Sequence, residues 1–207
     1  MARNLTGRKV AFLATDGVEQ VELTAPWQAL KEARAEVQLI SLKAGAIQGF
    51  IHEEKADTFD VDALATDVTA RDFDALVIPG GLRNTEALRV NAAAVQLVRG
   101  FMEADKPVGA ICHAPRLIVE AGSVQGRTLT SHPELAGEIR SAGGSWVDKQ
   151  AQVDQKLLTS RRPEDLPAFC SNLVALLSTA MEERRLDKMV EQSFPASDPL
   201  PGPITLG

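Results

Sequence analysis

Cys112 and His113 sit side by side where the chain changes character. The run Pro107-Val-Gly-Ala-Ile111 reads as a buried strand, and Arg116-Leu-Ile-Val-Glu120 reads as a helix. A cysteine on such a strand-to-helix turn is lifted from the sheet and meets the N–H groups and positive dipole end of the new helix. Both effects favour the thiolate, the nucleophilic form of the residue. The competing fate is burial as a small apolar residue. Histidine is the obvious base for a thiol, yet residues i and i+1 on a helix do not face each other. His113 can therefore serve Cys112 only if the turn departs from helical geometry. His132, in Ser131-His-Pro133, is the rival base.

Two further segments carry groups that suit a thiol nucleophile. Asp74-Ala-Leu-Val-Ile78 reads as a second buried strand and runs into Pro79-Gly80-Gly81. Glycines there let backbone approach a ligand, and their N–H groups can hold a developing oxyanion. The first strand, Lys9–Ala14, is followed by Glu19 and Glu22, three apart and so on one face of a helix. An acid in a first helical turn often does no more than complement the dipole, which suffices for Glu19. Glu22 is the one expected beside the cysteine. A desolvated carboxyl keeps its proton and can donate it in a hydrogen bond to a thiolate.

Alternating strands and helices must position these groups. Strands are expected near 9–14, 36–41, 74–79, 108–111 and 157–160. Helices are expected near 20–34, 84–90, 92–104, 114–120, 134–142 and 165–185. Such alternation predicts an α/β fold, a parallel sheet with helices on both faces. All three segments then end at the carboxyl edge of the sheet, where open α/β sheets bind ligands. Residues 45–59 suit short strands or a hairpin. The expected domain is 1–185. From 186 to 207 the chain turns polar and acquires four prolines after Ser193, which predicts an extended or disordered arm with Phe194 as its anchor.

The chain resembles the ThiJ/PfpI family of the class I glutamine amidotransferase-like superfamily. The matching residues are Val18-Glu-Gln-Val-Glu22-Leu, Leu76-Val-Ile-Pro-Gly-Gly81, Lys106–Pro115 with its Cys-His pair, Gly126–Ser131, Ala142–Asp148, Leu158–Arg161 and Pro163–Phe169, spanning about residues 8 to 180. The resemblance implies a three-layer, flavodoxin-like sandwich and a homodimer or larger homo-oligomer. It implies Cys112 as nucleophile, Glu22 as the carboxyl on its sulfur and His113 as the triad histidine. It also implies the backbone N–H groups of Gly81 and His113 as oxyanion hole, and Glu86 as an acid supplied from a neighbouring subunit. Two departures stand out. Ala114 replaces the usual glycine after Cys-His, and the loop from Gly81 to Glu86 is one residue longer than in peptidase-like members. His132, twenty residues after the cysteine, matches the deglycase-like branch instead.

Composition restricts the remaining classes. The 207 residues are 44% hydrophobic and 24% charged, with net charge −6, so nucleic acid and anionic membranes are not expected partners. No apolar stretch reaches spanning length and no secretion signal opens the chain, which suggests a cytoplasmic protein. Two cysteines form no disulfide framework. Cys170 is expected in the core of the last helix and His52 at the surface. No cofactor is expected, and no metal, because the Cys-His pair lacks metal-site spacing. Arg83 and Arg116 either bind a substrate carboxylate or are solvated. The expected function is a stress-related cysteine enzyme attacking a carbonyl: peptide, glycated protein or small dicarbonyl, hence peptidase, deglycase or glyoxalase chemistry. The alternative is a non-enzymatic stress protein, redox-sensing or chaperone-like, that uses an oxidisable Cys112.

Overall fold

In the computed structural model, which describes residues 4–193, the chain begins with β1 (Lys9–Leu13), β2 (Val18–Glu19), α1 (Gln20–Glu32), β3 (Glu36–Ser41), β4 (Ala46–Ile51), β5 (Glu54–Asp60) and β6 (Ala63–Leu64). It continues through β7 (Ala75–Ile78), α2 (Leu82–Arg89), α3 (Ala92–Glu103), β8 (Val108–Ile111), α4 (Pro115–Glu120) and β9 (Thr128–Leu129). The last elements are α5 (Ala136–Ser141), β10 (Ser145–Trp146), β11 (Ala151–Asp154), β12 (Leu157–Ser160) and α6 (Leu166–Ser193).

The sheet order is β11-β12-β8-β7-β1-β3-β6. Every neighbouring pair is parallel except β11 with β12, which closes one edge. Strands β7, β8 and β12 are buried along their whole length, which explains why β7 and β8 read as apolar runs without alternation. The pleat sends Leu76 and Ile78 to one face, with Leu97, Phe101, Leu117 and Ile118 of the helices there. It sends Ala75 and Val77 to the other, with Leu23, Leu30, Phe169 and Leu173 of α1 and α6. Gly109 leaves the space that Phe169 occupies: a Cβ there would lie 3.1 Å from its ring. The three-layer α/β architecture is the expected one.

The hairpin expected within 45–59 is β4–β5, antiparallel and separate from the main sheet, with β2 added to its edge. His52 lies exposed in its turn with φ +56°. The final helix runs to Ser193, past the boundary expected at 185, so residues 186–193 are helical and not extended. Phe194 and the Pro-rich arm lie outside the described residues. Cys170 is half-buried against the α1–α6 core, less enclosed than expected.

Candidate active site

The Cys112 backbone has φ +63°, a left-handed conformation that residues with side chains rarely adopt. Its N–H donates to Ser160 O at 3.1 Å, and its O accepts from the His132 N–H at 2.8 Å. The end of β12 and the His132 segment thus brace the elbow from two sides. Helix α4 begins only at Pro115, so Cys112 and His113 belong to the turn. The helical objection to their pairing therefore does not apply, and His113 Nδ1 lies 3.2 Å from Cys112 Sγ.

Glu22 reaches the same place from the first turns of α1 and is 0% exposed. Pro26 has no N–H to give the Glu22 carbonyl four residues earlier, so this turn lacks one helical rung. The Gly80 N–H donates to Glu22 Oε2 at 2.8 Å. Glycine is required at 80, because a Cβ would lie 2.4 Å from Oε2 and 2.7 Å from the Cys112 Cβ. Gly81 has φ +92°, and its Cβ would lie 2.3 Å from Gly17 O. Asn84, fully buried at the start of α2, fastens this loop. Its side chain accepts from the Thr15 N–H at 2.7 Å and donates to Pro79 O and Gly80 O, both at 3.0 Å. Sequence reading missed Asn84, whose neighbours Arg83, Thr85 and Glu86 are polar and give no local signal.

Burial raises the Glu22 carboxyl to about 8, although the Gly80 amide opposes the shift. At neutral pH the acid beside the sulfur is therefore mostly uncharged. Burial also pushes the Cys112 thiol up, and an ionised Glu22 pushes it further, while the amides of His113 and Gly81 pull the other way. The direction is opposite to the one expected from the helix N-terminus. The thiol is 9% exposed, and desolvation outweighs the two amides. Burial holds His113 below the usual imidazole range, assisted by neighbouring His132 and opposed by Glu134. His113 is thus a neutral imidazole near pH 7, able to accept a proton.

The outer side of the thiol is built from two segments, His113 on the elbow and His132–Glu134 docked beside it. His132 stacks on His113 with ring centroids 4.3 Å apart. Glu134 Oε2 lies 3.4 Å from His113 Nε2 and 3.7 Å from His132 Nδ1. These three side chains offer ligand atoms within 4.8 Å of one another, a cluster that the spacing of Cys112 and His113 does not reveal. Glu86 takes no part within the chain. It pairs with Arg116 at 2.6 Å and Arg89 at 2.7 Å, and Arg116 also holds Glu138 at 3.0 Å. Arg83 stacks over Phe50 and pairs with Glu53 at 3.3 Å. Glu19, expected as a dipole partner, accepts the His52 N–H at 3.1 Å and ties the hairpin turn to α1.

Residues 8–176 match the model of the DJ-1/PfpI family, and the chain belongs to that family. A deglycase of Pyrococcus abyssi is 39% identical over 169 residues, covering 82% of this chain and 99% of that one. General stress protein 18 of Bacillus subtilis is 39% identical over 173 residues, covering 83% and 98%. Among solved structures, a two-domain protein of Anabaena variabilis with DJ-1/ThiJ/PfpI-like and ferritin-like domains superposes with TM-score 0.77 at 32% identity. That match covers 82% of this chain and 48% of the Anabaena protein, so the chain spans about half of it. No helix among the described residues is long and apolar enough to cross a membrane.

Proposed function

We propose that this protein is a cytoplasmic, cysteine-dependent enzyme that acts on the aldehyde carbon of small dicarbonyls, including those that protein side-chain adducts release as they reverse. One observation carries the reading: Cys112 Sγ lies 3.2 Å from His113 Nδ1, in a site where the Gly81 and His113 amides favour the thiolate. As sulfur bonds to the carbonyl carbon, His113 Nδ1 takes the thiol proton and the π pair moves to oxygen. The N–H groups of Gly81 and His113 meet the charge on that oxygen. Return of the proton to oxygen gives a hemithioacetal. In a dicarbonyl adduct, transfer of the C1 proton to C2 through an enediol then gives a thioester. Water cleaves the thioester to a 2-hydroxy acid and the free thiol. The balance is one dicarbonyl plus one water to one hydroxy acid.

A neutral Glu22 suits this sequence because it adds no charge against the thiolate as it forms. Aldehydes also suit the site better than amides. Amide cleavage needs strong protonation of a leaving nitrogen, whereas an aldehyde expels nothing in the first step. The name of the Pyrococcus relative, a deglycase, supports this choice, and that of the Bacillus relative supports a role in stress.

The test is steady-state consumption of methylglyoxal with lactate measured as product. Wild type should turn over, and Cys112→Ser should lose at least about a thousandfold, the scale on which removing a nucleophile acts. Wild type that forms no lactate, yet gains two oxygens cleanly at Cys112 under mild peroxide, would instead favour a redox sensor.

A further inference from the structure

His113, His132 and Glu134 converge beside the thiol without a use for all three in the chemistry above. Glu134 Oε2 lies 3.4 Å and 3.7 Å from a nitrogen of each ring. A tetrahedral ion with bonds of about 2.0–2.2 Å places its ligand atoms roughly 3.3–3.6 Å apart, so the two carboxylate-to-ring spacings are close to those around a bound ion. His132 Nδ1 is buried and has no hydrogen-bond partner among the described residues. The rings are stacked within 25° of parallel, so their lone pairs run side by side and do not yet meet. Turning the His132 ring to meet an ion breaks no bond at Nδ1. Glu134, 71% exposed, keeps the site open to solvent.

We propose that His113 Nε2, His132 and Glu134 bind a divalent transition-metal ion of the zinc class. Two imidazoles and one carboxylate suit zinc or cobalt better than magnesium or calcium. An ion on Nε2 leaves the ring proton on Nδ1, the atom facing sulfur.

Cobalt(II) is titrated into the full chain and its visible d–d absorption is recorded. One equivalent should bind with tetrahedral bands and without a sulfur-to-cobalt charge-transfer band. His132→Ala and Glu134→Ala should each weaken binding by more than about tenfold, and Cys112→Ser should retain it. Absence of binding overturns the proposal. So does binding that survives both ligand variants, or that disappears only with Cys112→Ser. This readout does not require methylglyoxal turnover, so failure of the substrate assignment is seen separately.

Discussion

The two sides of Cys112 are built differently. On the inner side Glu22, Gly80, Gly81 and Asn84 are fixed by buried hydrogen bonds and by contacts too close for one added carbon. On the outer side His113, His132 and Glu134 meet through longer contacts and ring stacking, with solvent reaching Glu134. The inner side controls where the sulfur is and how much charge it tolerates. The outer side can exchange protons with water through Glu134, which is 71% exposed and touches both rings. A site that must hold a nucleophile still and also reload a base gains from this division.

The outer side should show the largest single effect on rate. His113→Ala removes the proposed base and should lower turnover by about 10²–10⁴, the usual range for general base catalysis. Loss of less than about tenfold would mean that proton removal does not pass through His113. On the inner side, Gly80→Ala should cost about 10² in turnover, because the methyl group cannot enter without moving Glu22 or Cys112. An active Gly80→Ala protein would show that the inner side is softer than its contacts imply.

Glu22→Gln tests the inner side through stability. The Glu22 carboxyl is raised from 4.5 to about 8 in the folded chain, so between those values the folded state binds the extra proton. Its stabilising contribution is complete below the lower value and is lost as pH rises towards the higher one, at up to roughly 1.4 kcal/mol per pH unit. Urea unfolding of wild type and Glu22→Gln at several pH values between 5 and 8 isolates this contribution. Wild type should lose stability relative to the variant as pH rises. Parallel curves would mean that Glu22 is not held neutral by burial.

The inner side was more legible in the sequence than the outer. Strands β7 and β8 are apolar runs ending in Gly-Gly and in Cys-His, so local pattern alone puts both at the carboxyl edge of the sheet. Glu22 followed from helical spacing and resemblance. Asn84 did not, because its value comes from bonds to Thr15, Pro79 and Gly80 that exist only once the loops meet. Glu134 has no local signal either, because its contact with His113 needs the His132 amide to dock on the Cys112 carbonyl. The left-handed elbow at Cys112 was legible only as a condition: if the turn leaves helical geometry, His113 can reach the sulfur. Strands β6, β9 and β10 span two residues each, too few to show a period.

Glu134→Gln should give the smallest effect, and it separates an electrostatic role on the outer side from simple contact. Glu134 raises the proton affinity of His113, against the lowering by burial and by His132. Replacing its charge with an amide of similar shape leaves that lowering less opposed, so His113 stays neutral to lower pH. In chelated buffer, the acid limb of turnover should therefore shift to lower pH with the plateau changed by less than about twofold, because the carboxylate is largely exposed and screened. A shift to higher pH would overturn this electrostatic role, because removing a negative charge lowers the proton affinity of every nearby group. An unmoved limb would place Glu134 outside the proton path and leave metal binding as the one role assigned to it.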